Sequence, residues 1–178
     1  RGYVRAVASG DWNSDGQVDL ALSYVNFQLG VKRNGIDLYY RQADGSWRRG
    51  PLAAKAGRNV FATLASGDVD GDGHTDLVGV DQDGGMGLFL GDGKGRFTTE
   101  TSPEAQEPRG RCRGYGLRLA DVDGDGADEI FATYADEPVA LYDPERCVGN
   151  GGVAVFKSGR NPQMRARALP SAGRRGRP

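Results

Sequence analysis

Asp or Asn side chains recur at every second position in three short stretches of this chain, and each stretch closes on one more carboxylate four residues later. The first holds Asp11, Asn13, Asp15 and Asp19, the second Asp68, Asp70, Asp72 and Asp76, and the third Asp121, Asp123, Asp125 and Glu129. Counted from the first Asp, these are positions 1, 3, 5 and 9 of a loop. The spacing suits a hard cation that takes about six to eight oxygen ligands, because alternate side chains point inward when the backbone curls around it; calcium is such an ion. Position 7 would add a backbone carbonyl, from Gln17, His74 and Ala127 in turn. Position 6 is Gly16, Gly73 and Gly126, where a sharp turn beneath the ion favours glycine. Up to three Ca2+ ions are therefore expected. Positions 1, 3, 5 and 9 of the loops hold 11 of the 24 acidic residues, and three bound ions would move the formal charge from -1 to +5. An EF-hand opens the same way but closes with a Glu at position 12 and lies between helices. Position 12 here is Leu22, Gly79 and Ala132, which rejects that class.

The elements that must position the loops read as short strands. The three segments align without gaps, 57 and 53 residues apart, a period in the range of propeller blades. Apolar runs precede each loop (Val4 to Ala8, Phe61 to Ala65, Leu117 to Ala120) and follow it (Leu20 to Tyr24, Leu77 to Val80, Ile130 to Tyr134). A second pair of strands follows in each repeat. Ile36 to Tyr40 leads through Asp44-Gly45-Ser46 to Trp47, and Met86 to Leu90 leads through Gly91-Asp92-Gly93-Lys94-Gly95 to Phe97. Such Asp-Gly turns are hairpin signals. The third repeat is expected to run through Val139 to Tyr142 and the turn Gly149-Asn150-Gly151-Gly152, and to end with Val153 to Phe156. Trp47 and Phe97 are expected to pack between blades. The predicted fold is all-β: residues 1–157 form three β-propeller blades of four antiparallel strands (about 1–55, 56–108 and 109–157), followed by a basic tail over 158–178.

These loops and their flanking strands resemble the FG-GAP or VCBS repeats, the calcium-loop blades also found in integrin α-subunit propellers. The resemblance covers roughly residues 1–157 and rests on Asp11 to Asp19, Asp68 to Asp76 and Asp121 to Glu129. The Phe-Gly and Gly-Ala-Pro signatures that name the family are not intact; Val60-Phe61-Ala62-Thr63 stands nearest the first. The resemblance implies a propeller whose calcium ions stiffen the blades' outer connections, on extracellular proteins of adhesion, matrix contact or carbohydrate recognition. Three blades do not close a ring of four to eight. The chain is expected to be part of a larger propeller or to assemble with other copies of itself.

Other functions have less support. No apolar run approaches the roughly 18 residues of a membrane span, and no phosphate-binding Gly-rich loop is present. The single His, His74, sits at position 7 and is expected to turn its side chain to solvent; the Cys112 thiol has basic neighbours but no His nearby in sequence. Cys112 and Cys147 could close a disulfide, worth about 3 to 4 kcal/mol by chain entropy, or remain thiols. No acidic residue follows Glu145, and the Pro- and Gly-containing tail from about Ser158 is expected to be disordered. The expected function is a non-catalytic, calcium-stabilised, secreted or exported module that binds a protein or carbohydrate, with no nucleic acid partner. The alternative is an accessory propeller of a secreted enzyme whose catalytic domain lies elsewhere.

Overall fold

The computed structural model describes residues 2–28, 31–50, 61–81, 85–100, 113–135, 152–157 and 166–168, and every regular element among them is a β-strand. The first sheet holds β1 (Gly2–Gly10), β2 (Asp19–Gln28), β3 (Val31–Arg41) and β4 (Trp47–Arg49). The second holds β5 (Phe61–Gly67), β6 (Asp76–Asp81), β7 (Met86–Gly91) and β8 (Phe97–Glu100). The third holds β9 (Arg113–Ala120), β10 (Glu129–Ala135), β11 (Gly152–Phe156) and β12 (Ala166–Ala168). Each sheet is an antiparallel meander with its strands in chain order, the topology of a propeller blade. An acidic loop joins the first strand to the second in every sheet.

Alternation of side chains across the second sheet explains how the three sheets stack. Leu77 and Phe89 face the first sheet and join Ala21, Ile36, Leu38 and Tyr40 in one core. Val78, Val80 and Leu88 face the third sheet and join Ile130, Ala132, Tyr134 and Phe156 in another. β6 is consequently buried at every position, as a strand covered on both faces must be. Burial of each such Val, Leu or Phe contributes about 1.5–3 kcal/mol. Position 2 of a loop adds to the core beyond it. Trp12 is fully buried and meets the Phe97 ring edge-on at 6.2 Å, and Val69 is buried against the third sheet.

Hydrogen bonds cross the first interface as well. The Ser23 hydroxyl donates to the Phe61 carbonyl at 2.9 Å, the Ser66 hydroxyl to the Ser9 carbonyl at 2.6 Å, and the Tyr40 hydroxyl to the Gly95 carbonyl at 2.7 Å. The repeat extends to an irregularity of the backbone. The register of the first strand on the second slips at Arg5, Ala62 and Tyr115, each six residues before its loop's first Asp. A bulge at one repeat position in all three sheets belongs to the architecture.

Three expectations need correction. Gly152–Phe156 pairs directly with β10, so Val153 to Phe156 forms the third strand of its sheet, not the last. The fourth strand is Ala166–Ala168, inside the stretch expected to be a disordered tail: Ala154, Val155 and Phe156 pair with Ala168, Arg167 and Ala166. An available strand edge explains why the segment can pair there. Trp47 does not pack between sheets. It is 43% exposed and carries the Arg41 guanidinium over its ring at 5.5 Å, a cation–π contact at the surface. Val139 to Tyr142, Cys112 and Cys147 lie outside the described residues.

Candidate metal centres

Each loop is built around its first carboxylate. Asp11 accepts the backbone N–H groups of Asp15 at 3.1 Å and Gly16 at 2.8 Å. Asp68 accepts those of Gly71, Asp72 and Gly73 at 2.7, 3.1 and 2.8 Å, and Asp121 those of Gly124 and Gly126 at 2.7 and 3.0 Å. The turn this demands puts position 6 in the left-handed region, with φ of 81° at Gly16, 86° at Gly73 and 90° at Gly126. Position 4 is left-handed too, with φ of 55° at Ser14, 72° at Gly71 and 76° at Gly124. The sequence signal for that second kink was Gly71 and Gly124, and the non-glycine Ser14 concealed it. Position 5 accepts the N–H of position 7: Asp15 from Gln17 and Asp72 from His74, both at 2.8 Å, and Asp125 from Ala127 at 3.1 Å.

Position 9 fastens the loop to its sheet. Asp19, Asp76 and Glu129 are all buried. Each accepts the N–H of position 2: Asp19 from Trp12 at 3.4 Å, Asp76 from Val69 at 2.8 Å and Glu129 from Val122 at 3.0 Å. Asp19 and Asp76 also accept an N–H from the end of the third strand, from Arg41 at 2.9 Å and Gly91 at 2.8 Å. Burial pushes Asp76 up to about 7, against the pull of the Gly91 and Val69 hydrogen bonds, and Asp70 and Asp72 add like-charge repulsion. Asp19 is raised by burial as well. Asp70 is raised first by burial and then by the Asp72 carboxylate beside it. In the first two loops burial and neighbouring carboxylates thus disfavour the ionised form, a cost that a bound cation would offset.

Convergence is closest in two loops. Oxygens of Asp68, Asp70 and Asp76 lie within 4.8 Å of one another, as do those of Asp121, Asp123 and Glu129. In the third loop the donor set is visibly incomplete, because Glu129 is 4% exposed and its Oε1 has no hydrogen-bond partner. A buried carboxylate oxygen left bare beside two further carboxylates fits a calcium ion, which takes oxygen ligands. The Lys157 ammonium stands at the same carboxylates. It contacts Asp123 and lies 3.3 Å from Asp125 Oδ2, which hold its pKa up. In the first loop Asn13 replaces a carboxylate, and its amide donates to Asp15 at 2.9 Å. Among the described residues, Asp11, Asp15 and Asp19 do not form a third converged group. The His74 side chain is half-buried against Gly93 of the β7–β8 turn, not turned to solvent as expected.

Antiparallel four-stranded sheets, stacked face to face and each bearing an acidic loop between its first two strands, define a repeat module of the propeller-blade type. The chain belongs to the FG-GAP-like repeat family, whose model matches residues 11–79 and again residues 68–132. The two matches overlap across the second loop and between them take in all three. No curated protein matches the chain.

Proposed function

We propose that the chain is a calcium-stabilised binding module of an extracellular or exported protein, in which the ions fix the outer connections of the blades and so the surface offered to a protein or carbohydrate partner. The observation that carries the calcium reading is the bare Oε1 of buried Glu129 beside Asp121 and Asp123. In the third loop Asp121, Asp123, Asp125 and Glu129 would hold the ion, with the Ala127 carbonyl. In the second, Asp68, Asp70, Asp72 and Asp76 would do so with the His74 carbonyl, and in the first, Asp11, Asn13, Asp15 and Asp19 with the Gln17 carbonyl. Calcium supplies no bond chemistry here; it neutralises crowded carboxylates and links the loop to the strands that flank it. FG-GAP-like repeats are usually non-catalytic modules, which supports a binding role. An extracellular setting fits the same reading, since calcium loops fill more readily at extracellular millimolar calcium than in the cytosol.

The test pairs calcium titration by calorimetry with binding to arrays of matrix proteins and glycans. Saturable calcium uptake, and partner capture abolished by a chelator, are the expected results. A chain that takes up calcium but captures the same partners in chelator would remove calcium from the recognition step.

A further inference from the structure

The motif gives position 8 no role, yet in the third loop that residue reaches into the second. Asp128 Oδ2 accepts the backbone N–H of Asp68 at 3.0 Å, and the Asp128 N–H donates to the Asp68 carbonyl at 2.6 Å. Asp68 is position 1 of the second loop, and its carboxylate organises that loop by accepting three of its amides. Two hydrogen bonds from the following repeat therefore clamp the backbone of the residue on which the second site is built.

The surroundings are shaped for this clamp. Gly67 precedes Asp68, and a Cβ at Gly67 would collide with the Asp128 carboxylate. Gly71 of the second loop lies against Ala127, so the two loops abut over several residues. At the first junction the same repeat position is Thr75. It meets the preceding loop through its methyl group, which would lie 2.9 Å from a Cβ at Gly10. The polar clamp thus distinguishes the second loop's junction from the first.

We propose that Asp128 is a positioning residue for the second cation site, so that this site is completed by the third repeat. The inference rests on the calcium reading above. Calcium–oxygen distances fall in a window of about 2.3–2.6 Å, and Asp68 must present its carboxylate to the same point as Asp70 and Asp76. Freeing its backbone lets that carboxylate drift. Loss of a partner that orients a metal ligand typically costs about 10–100-fold in affinity, and the low end applies to a loop that also holds itself.

The test isolates each site in the whole chain. Asp15→Ala with Asp125→Ala removes the position-5 ligand of the first and third loops and leaves the second; Asp15→Ala with Asp72→Ala leaves the third. Calcium affinity is read by calorimetry on chains with β-type circular dichroism. Asp128→Ala should weaken the second-site chain about tenfold and the third-site chain less than twofold. Asp128→Asn removes the same charge but keeps an oxygen for the Asp68 N–H, and should recover most of the loss. Gly67→Ala, which obstructs the carboxylate without replacing it, should repeat the selective loss. Equal weakening at both sites, no weakening at the second, or failure of Asn to rescue would overturn the proposal. A parent chain that binds no calcium would overturn it through the reading beneath it.

Discussion

Glu129 brings a carboxylate into a buried position and leaves one of its oxygens bare. Without an ion such a charge is costly, since an unsatisfied buried polar group loses its hydration for nothing in return. Glu129→Gln should therefore leave the metal-free melting temperature unchanged or higher, while cutting calcium affinity at the third loop at least tenfold by calorimetry. Lys157 sets a second expectation. Its ammonium shares Asp123 and Asp125 with any incoming cation, and an exposed ion pair of this kind is weak and screened by solvent. Lys157→Met should accordingly strengthen calcium binding at that loop by about two- to fivefold. Asp76 contributes to the pH dependence in the same direction as Asp19 and Asp70. Its pKa stands at about 7 in the fold against an ordinary 3.8, so the folded protein holds that proton more tightly. The associated stability is full below about pH 4 and is lost as pH rises through 7. Asp92 runs the other way: burial opposes ionisation, but hydrogen bonds from Lys94 and Arg96 outweigh it and hold the pKa down to about 2. Its contribution changes only below about pH 4. The metal-free chain should thus melt at a lower temperature at pH 7.5 than at pH 5.5, and calcium should close that gap by using the ionised carboxylate. At this scale the clustering of acidic side chains in the second and third loops was legible from spacing alone. The bare oxygen, the Lys157 contact and the Asp128 clamp were not, because each depends on chain brought close from far along the sequence.

The strand-loop-strand unit is where local sequence rules worked best. Gly16, Gly73 and Gly126 adopt the left-handed conformation that their place in the loop demands. Nothing lies within 4 Å of a Cβ added at Gly73, so Gly73→Ala isolates the backbone cost. A loss of about 1–2 kcal/mol by chemical denaturation is expected, with Gly73→Asn costing less because Asn tolerates that region. Trp12 tests the link from loop to sheet. It is fully buried against the second sheet, and Trp12→Ala should cost about 3–5 kcal/mol, far more than Trp47→Ala at the exposed cation–π contact. Sequence patterning treated the two hairpin aromatics Trp47 and Phe97 alike, since both follow a turn. They differ because β4 is exposed at all three positions, whereas Phe97 meets Trp12. The bulges at Arg5, Ala62 and Tyr115 had no signal either, because their side chains share no chemistry.

In the whole molecule the second sheet is the keystone, covered by the first on one face and by the third on the other. The repeat positions show what that covering does. Leu64 and Leu117 are 6% and 2% exposed beneath a preceding sheet, while Val7, their counterpart on the first sheet, is 56% exposed. Position 2 mirrors this at the other end, with Trp12 and Val69 buried and Val122 64% exposed. Blade number and loop placement were legible from the repeat, but the third sheet's strand choice was not, since a chain with several short apolar runs leaves the pairing partner of β10 undetermined until the sheet forms. Binding of an ion to folded loops alone should stabilise the chain by about 2.7 kcal/mol per site at a hundredfold excess over its dissociation constant. The most direct test is thermal unfolding by circular dichroism, first in chelator and then in millimolar calcium or an equal concentration of magnesium. A midpoint that climbs with calcium and not with magnesium is the predicted result; a folded chain whose midpoint ignores calcium would contradict the account.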